Sequence, residues 1–179
     1  MVTGRLRGFS FIEMLAVLCI VGLLFALLVP AATASRNAIL RQRTAWQFRE
    51  ILLALESYEQ HYGHRPKFLD REEVPIALAP LAQKLEDALQ GSGEGSPPPS
   101  NPDNVCFANL GLAQNDGRLL DAFGSDNLFL MVRKAGRLAI PPEAFPESIR
   151  DAVPPGGVAE AYALWNGVDS PARRGVSWP

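Results

Sequence analysis

Glu13 is the side chain with the most chemistry to account for. It stands five residues after Gly8 and directly before residues 14–29, a stretch without a single charged side chain. A carboxylate at the mouth of so apolar a segment costs a few kcal/mol unless it stays at an interface or finds a partner. A cut after Gly8 would give Phe9 a free α-amino group one helical turn from Glu13. That amine can neutralise the carboxylate of a neighbouring copy inside a bilayer, where an unpaired charge is most expensive. The chemistry in question is ion pairing between copies, and the same pairing tells a subunit where its neighbour should sit.

The other reactive side chains offer less. His61 and His64 are the two histidines, but Gly63 between them breaks a helix and no nearby Cys or carboxylate completes a metal site. Cys19 lies in the apolar stretch and Cys106 far beyond it, so no disulfide framework is expected within one chain. Asp121, Asp126 and Asp169 stand at turn starts, where acids serve local hydrogen bonds. There is no Gly-rich phosphate loop ending in Lys-Ser or Lys-Thr, no Gly-x-Ser-x-Gly elbow and no His-Glu-x-x-His, so the sequence reads as that of a non-enzyme. A formal charge of −2 and scattered arginines argue against nucleic acid as a partner.

Residues 9–32 supply the roughly 20 apolar positions that cross a hydrocarbon core. Three readings compete for them: a secretory signal cut at the A-x-A match Ala32, Thr33, Ala34, an uncut anchor, and an anchor with residues 1–8 removed as a leader. A lipoprotein is disfavoured, because Leu18 before Cys19 is too large. The position of Glu13 favours the third reading, since a secretory signal has no use for it. Arg36, Arg41 and Arg43 outnumber the leader's Arg5 and Arg7, so the positive-inside count does not favour a cytoplasmic N-terminus; a long C-terminal domain translocates largely regardless of charge.

Beyond the bilayer the helix is expected to continue. Phe48, Ile51, Leu52, Leu55, Tyr58 and Tyr62 recur at three- and four-residue spacings with Arg49, Glu50, Glu56, Glu59 and Gln60 between them, an amphipathic pattern ended by Gly63 and Pro66. Helical from Phe9 to Tyr62, the segment would be roughly 80 Å long, with Pro30 bending or locally melting it. A second helix is expected over 75–89 and a flexible loop over 91–104. Strands are expected over 128–133, 137–140 and 158–165, the first two as a hairpin through Ala135 and Gly136. Such a sheet needs cover on one face, and the amphipathic helix supplies it.

Residues 8–13 resemble the processing site of type IV pilins and of the pseudopilins of type II secretion systems. The resemblance implies that a prepilin peptidase cuts after Gly8, that Phe9 becomes an N-methylated terminus, that Glu13 guides docking into a helical filament, and that Pro30 is the kinking proline of the family's apolar segment. It also implies a head outside the bacterial inner membrane. Partners would be membrane lipid, copies of the same chain, other pilin-like subunits and an inner-membrane assembly platform with its ATPase. Residues 121–126 and 161–170 look like the paired sheet motifs of the major pseudopilin, whose late loop often binds calcium. Asp169 matches a ligand there, but Pro171, Arg173 and Arg174 stand where further acids would help, so calcium is not expected.

The expected architecture is α+β and pilin-like: leader 1–8, transmembrane half-helix 9–32, amphipathic half-helix 33–62, and an α+β head over 63–179. The expected function is that of a filament subunit, with an exported soluble or carrier protein cut near Ala34, or a type IV pilus or DNA-uptake pilin, as the alternatives.

Overall fold

A computed structural model describes residues 10–70, 74–92, 95–133, 147–151, 153–154, 158, 161–167 and 173–177. The chain is α+β. Its first helix, α1, runs Phe11–Tyr62 over 52 residues, and its sheet has three antiparallel strands. Two compact units divide the chain, 1–38 and 39–179.

In the first unit, residues of α1 from Phe11 to Val29 are helical and exposed. The helix passes through Pro30 without interruption, so the expected local melting does not occur. Proline removes one N–H from the ladder and crowds the carbonyl one turn before it; Thr33 Oγ1 donates to the Pro30 carbonyl at 2.9 Å.

In the second unit the remainder of α1 carries the expected stripe. Phe48, Ile51, Leu55 and Tyr58 are at most 2% exposed and share one core with Leu85 and Leu89 and with Leu128, Leu130, Val132, Tyr162 and Leu164 of the sheet. The helix stops at Tyr62 because Gly63 takes the left-handed conformation at φ 72°, which glycine adopts at no steric cost.

The segment after it differs from expectation. In place of one helix over 75–89 there is a short strand β1 (Ile76–Ala77), a single 3-10 turn (Ala79–Leu81) and a helix α2 (Ala82–Leu89). Pro75 disfavours the α conformation at Val74, and Pro80 lacks the N–H that a helix spanning both would use. The extended stretch pairs Ile76 with Leu130 and Ala77 with Phe129.

Strand β2 is Leu128–Val132 and β3 is Tyr162–Asn166; a one-turn helix α3, Glu147–Arg150, lies between them in the sequence. The expected hairpin is corrected in part. β2 pairs along its full length with β3, from Leu128 opposite Asn166 to Val132 opposite Tyr162, while β1 holds its other edge. Residues 134–146, with the expected strand 137–140, lie outside the described residues. β3 begins at Tyr162 and not at Val158, and one further bond continues the pairing beyond Val132, with Arg133 N–H donating to the Ala161 carbonyl at 2.8 Å.

Both faces of the sheet are covered. Leu128, Leu130 and Val132 face the core shared with α1, and Met131, Ala163 and Trp165 form a second cluster with Val158, joined by Val153 and Val176. The outer edge of β3 is closed by the C-terminal segment: Ser177 N–H donates to the Leu164 carbonyl and Trp165 bridges Val176. A covered edge does not recruit a stray strand.

Candidate functional site

The start of α1 is built by its own sequence. Ser10, Phe11, Ile12 and Glu13 spell the S-x-x-E pattern in which a glutamate in the first turn reaches back to the backbone of the cap residue. The structure shows that contact, with Ser10 N–H donating to Glu13 Oε2 at 2.8 Å. The carboxylate thus sits at the positive end of the helix dipole and satisfies one of the donors that a helix start leaves open.

Behind it comes one helix long and apolar enough to cross a membrane, whose most apolar 18-residue window is 0% buried within the chain. Phe11 is 82% exposed and Leu27 73%. By length and composition this half of α1 can cross a membrane, and it leaves a contiguous apolar surface bare.

Of the residues singled out in the sequence, Glu13 and Pro30 are placed, Glu13 in the first turn of α1 and Pro30 within it. Gly8, Phe9 and Asp169 lie outside the described residues. No group of three or more His, Cys, Asp and Glu side chains gathers among the described residues. His61 and His64 do not act together: His61 Nε2 meets Asp103 Oδ2 at 2.9 Å, whereas His64 Nδ1 contacts the Arg65 carbonyl. Cys19 and Cys106 are free and exposed.

The buried polar side chains described in the head bond to backbone and to one another, between partners distant in sequence. Asp121 Oδ1 accepts from the N–H groups of Phe123 and Ser125 at 2.9 and 2.8 Å, the local turn role expected of an acid there. Its second oxygen, however, accepts from Asn166 Nδ2 at 2.7 Å. Asn166 is fully buried; its amide also donates to the Arg173 carbonyl at 2.9 Å and accepts from Gly175 N–H at 2.6 Å. One asparagine thus ties the 121–125 turn, the end of β3 and the C-terminal segment together. Gly175 in turn lies so close to α1 that a Cβ there would collide with Thr44 Cγ2.

Residues 91–104 are irregular as expected, but their described part is anchored. Asn101 is fully buried, accepts from Tyr62 Oη at 2.7 Å and from Val105 N–H at 3.0 Å, and donates to the Val105 carbonyl at 2.7 Å. Tyr58 Oη donates to the Ser100 carbonyl, and burial raises its pKa with Tyr62 adding to the effect. At the opposite side of the core Tyr162 Oη donates to Glu59 Oε2 at 3.0 Å. Burial and then that hydrogen bond push the Tyr162 phenol above the ordinary tyrosine range.

No family model, curated protein or solved structure matches the chain.

Proposed function

We propose that the protein is a structural subunit of a pilin-like filament, of the pseudopilin type that serves type II secretion. A prepilin peptidase cuts after Gly8, Phe9 becomes an N-methylated terminus, and Glu13 docks on the Phe9 amine of a neighbouring copy. The head stands outside the inner membrane, and an assembly platform with its ATPase draws subunits from lipid into the filament. The chain acts as a building block and not as an enzyme.

The observation that carries this reading is the pairing of a carboxylate in the first turn of α1 with an apolar half-helix left wholly uncovered by its own chain. A plain anchor needs the second feature and gains nothing from the first beyond a helix cap. A subunit that exchanges lipid for neighbouring helices uses both, because close packing replaces lipid contact and the ion pair selects the register.

Mass spectrometry of the mature N-terminus tests it. A chain that starts at methylated Phe9 is the expected result. A chain that starts at Ser35 would have lost Glu13 and would mark an exported soluble protein instead.

A further inference from the structure

The second unit buries one face of α1 and leaves the other bare. Among the described residues of 39–179, the exposed large apolar side chains are Ile39, Trp46, Leu53 and Val74. Three of the four lie on α1 at intervals of seven residues, 49%, 69% and 62% exposed in order. Seven-residue spacing keeps side chains within about 20° of one line along a helix, so the three form a narrow stripe and not a random scatter. The core of the head does not use this line, because Phe48, Ile51, Leu55 and Tyr58 point the other way.

The charges beside the seam say what covers it. Relative to Trp46, Arg49 stands about 60° to one side and Glu50 about 40° to the other, at 100° per residue. Both side chains are exposed, and the Arg49 guanidinium lies 6.0 Å from the Trp46 ring centre, already drawn to the seam. When two parallel helices face each other across a two-fold axis, each flank meets the opposite flank of its partner. Arg49 of one copy then lies beside Glu50 of the other, and Glu50 beside Arg49, only about 1.5 Å apart in height. The face is complementary to itself, as a two-fold interface must be.

We propose that Ile39, Trp46 and Leu53 form the seam of a parallel, in-register contact between two copies of this chain, closed on both sides by Arg49–Glu50 pairs. The inference rests on the anchored-subunit reading, since copies held by the same segment sit at one depth in the membrane and point the same way. It names a pairing of subunits that lie side by side in the bilayer, distinct from the axially displaced Phe9–Glu13 contact.

Cysteine cross-linking in membranes of cells making the full chain tests it, with Cys19 and Cys106 both replaced by alanine. Oxidised Leu53→Cys is expected to give at least about tenfold more covalent dimer than Lys84→Cys, an exposed control on α2. In the Leu53→Cys background, Arg49→Glu or Glu50→Arg alone should lower the dimer yield by about five- to tenfold, and the two together should restore it. Dimer no greater than the control, cross-linking only between Leu53→Cys and Trp46→Cys copies, which marks an axial displacement, or a charge swap that fails to restore would each overturn the proposal. The mature terminus is read on the same membranes. A start at Ser35 removes the anchored reading itself, whereas a methylated Phe9 without cross-linking removes the in-register contact alone.

Discussion

Replacing Asn166 by alanine removes the side chain that joins three segments of the head, and the structure sets the size of the effect. Three hydrogen bonds are lost, to Asp121 Oδ2, to the Arg173 carbonyl and from Gly175 N–H, at a position that is fully buried. Asp121 keeps its two backbone donors but loses the one on its second oxygen, at 5% exposure. A neutral hydrogen bond contributes about 1 kcal/mol and one to a charged group about 1.5–3 kcal/mol, so the loss is about 3–5 kcal/mol after allowing for relaxation. For a chain of this size that lowers Tm by about 10 °C. Thermal unfolding of the full chain in detergent micelles, followed by near-ultraviolet circular dichroism, measures it. Asn166→Asp sharpens the test, because it keeps the shape but turns the donor toward Asp121 into an acceptor. The introduced carboxyl then faces a carboxylate in a buried site, and burial beside a like charge raises its folded pKa above the unfolded value of about 3.9. The sign follows: the protonated carboxyl's contribution is present below the unfolded pKa and fades as pH rises through the folded one. The gap to the parent protein should therefore widen from pH 4 to pH 7. A Tm loss under about 3 °C for Asn166→Ala, or a pH-independent gap for Asn166→Asp, would refute the role given to this network.

Other expectations are more direct. Leu55→Ala, at 0% exposure, should cost about 3 kcal/mol or more, while Leu53→Ala two residues earlier, at 62% exposure, should change the stability of dilute micellar protein by less than about 0.5 kcal/mol; denaturant titration compares them. Tyr162 and Tyr58 have raised phenol pKa values, so the stability they contribute is complete below about pH 10, the unfolded value, and is lost as pH climbs toward the folded values; Tyr162→Phe should flatten that alkaline loss, read as the midpoint of base-induced unfolding. Glu13→Gln retains a group that can cap Ser10 and loses the charge, whereas Glu13→Ala loses both. Cleavage after Gly8 should survive in both variants and filament formation in neither, and normal filaments from Glu13→Gln would show that capping alone matters.

What the sequence made legible was periodicity and punctuation. The stripe from Phe48 to Tyr62, the stop at Gly63, the turn opened by Asp121 and the β2 strand all follow from local rules, since a 3.6-residue repeat or a glycine acts on its immediate neighbours. The misses involve partners distant in sequence. Ile76 and Ala77 form a strand because Leu130 and Phe129 offer them an edge some fifty residues later. Asn166 precedes Gly167, a pair whose local preference is for a turn, yet Asp121 and Gly175 hold it at the end of β3. A loop of Gly, Ser and Pro has no apolar pattern, and its anchoring by Asn101 depends on a tyrosine of α1 thirty-nine positions earlier. At the candidate site, the S-x-x-E spacing of Ser10 and Glu13 was available from the start but was read only for its charge.

That spacing bears on how the carboxylate is held before any neighbour arrives. A charge at the edge of a bilayer has to be compensated in the isolated subunit as well as in the polymer, or the subunit could not wait in the membrane. The Ser10 N–H and the positive end of α1 supply a compensation that needs no second chain. The cap contributes about 1 kcal/mol, and a neighbour's amine outcompetes it where the attraction of the pair exceeds the cost of desolvating both charges. On the proposed filament reading, docking on a neighbour's Phe9 amine would draw Glu13 from its cap, and withdrawal of the neighbour would let the cap reform. The carboxylate would then have one partner in each state, as a subunit that enters and leaves a filament requires.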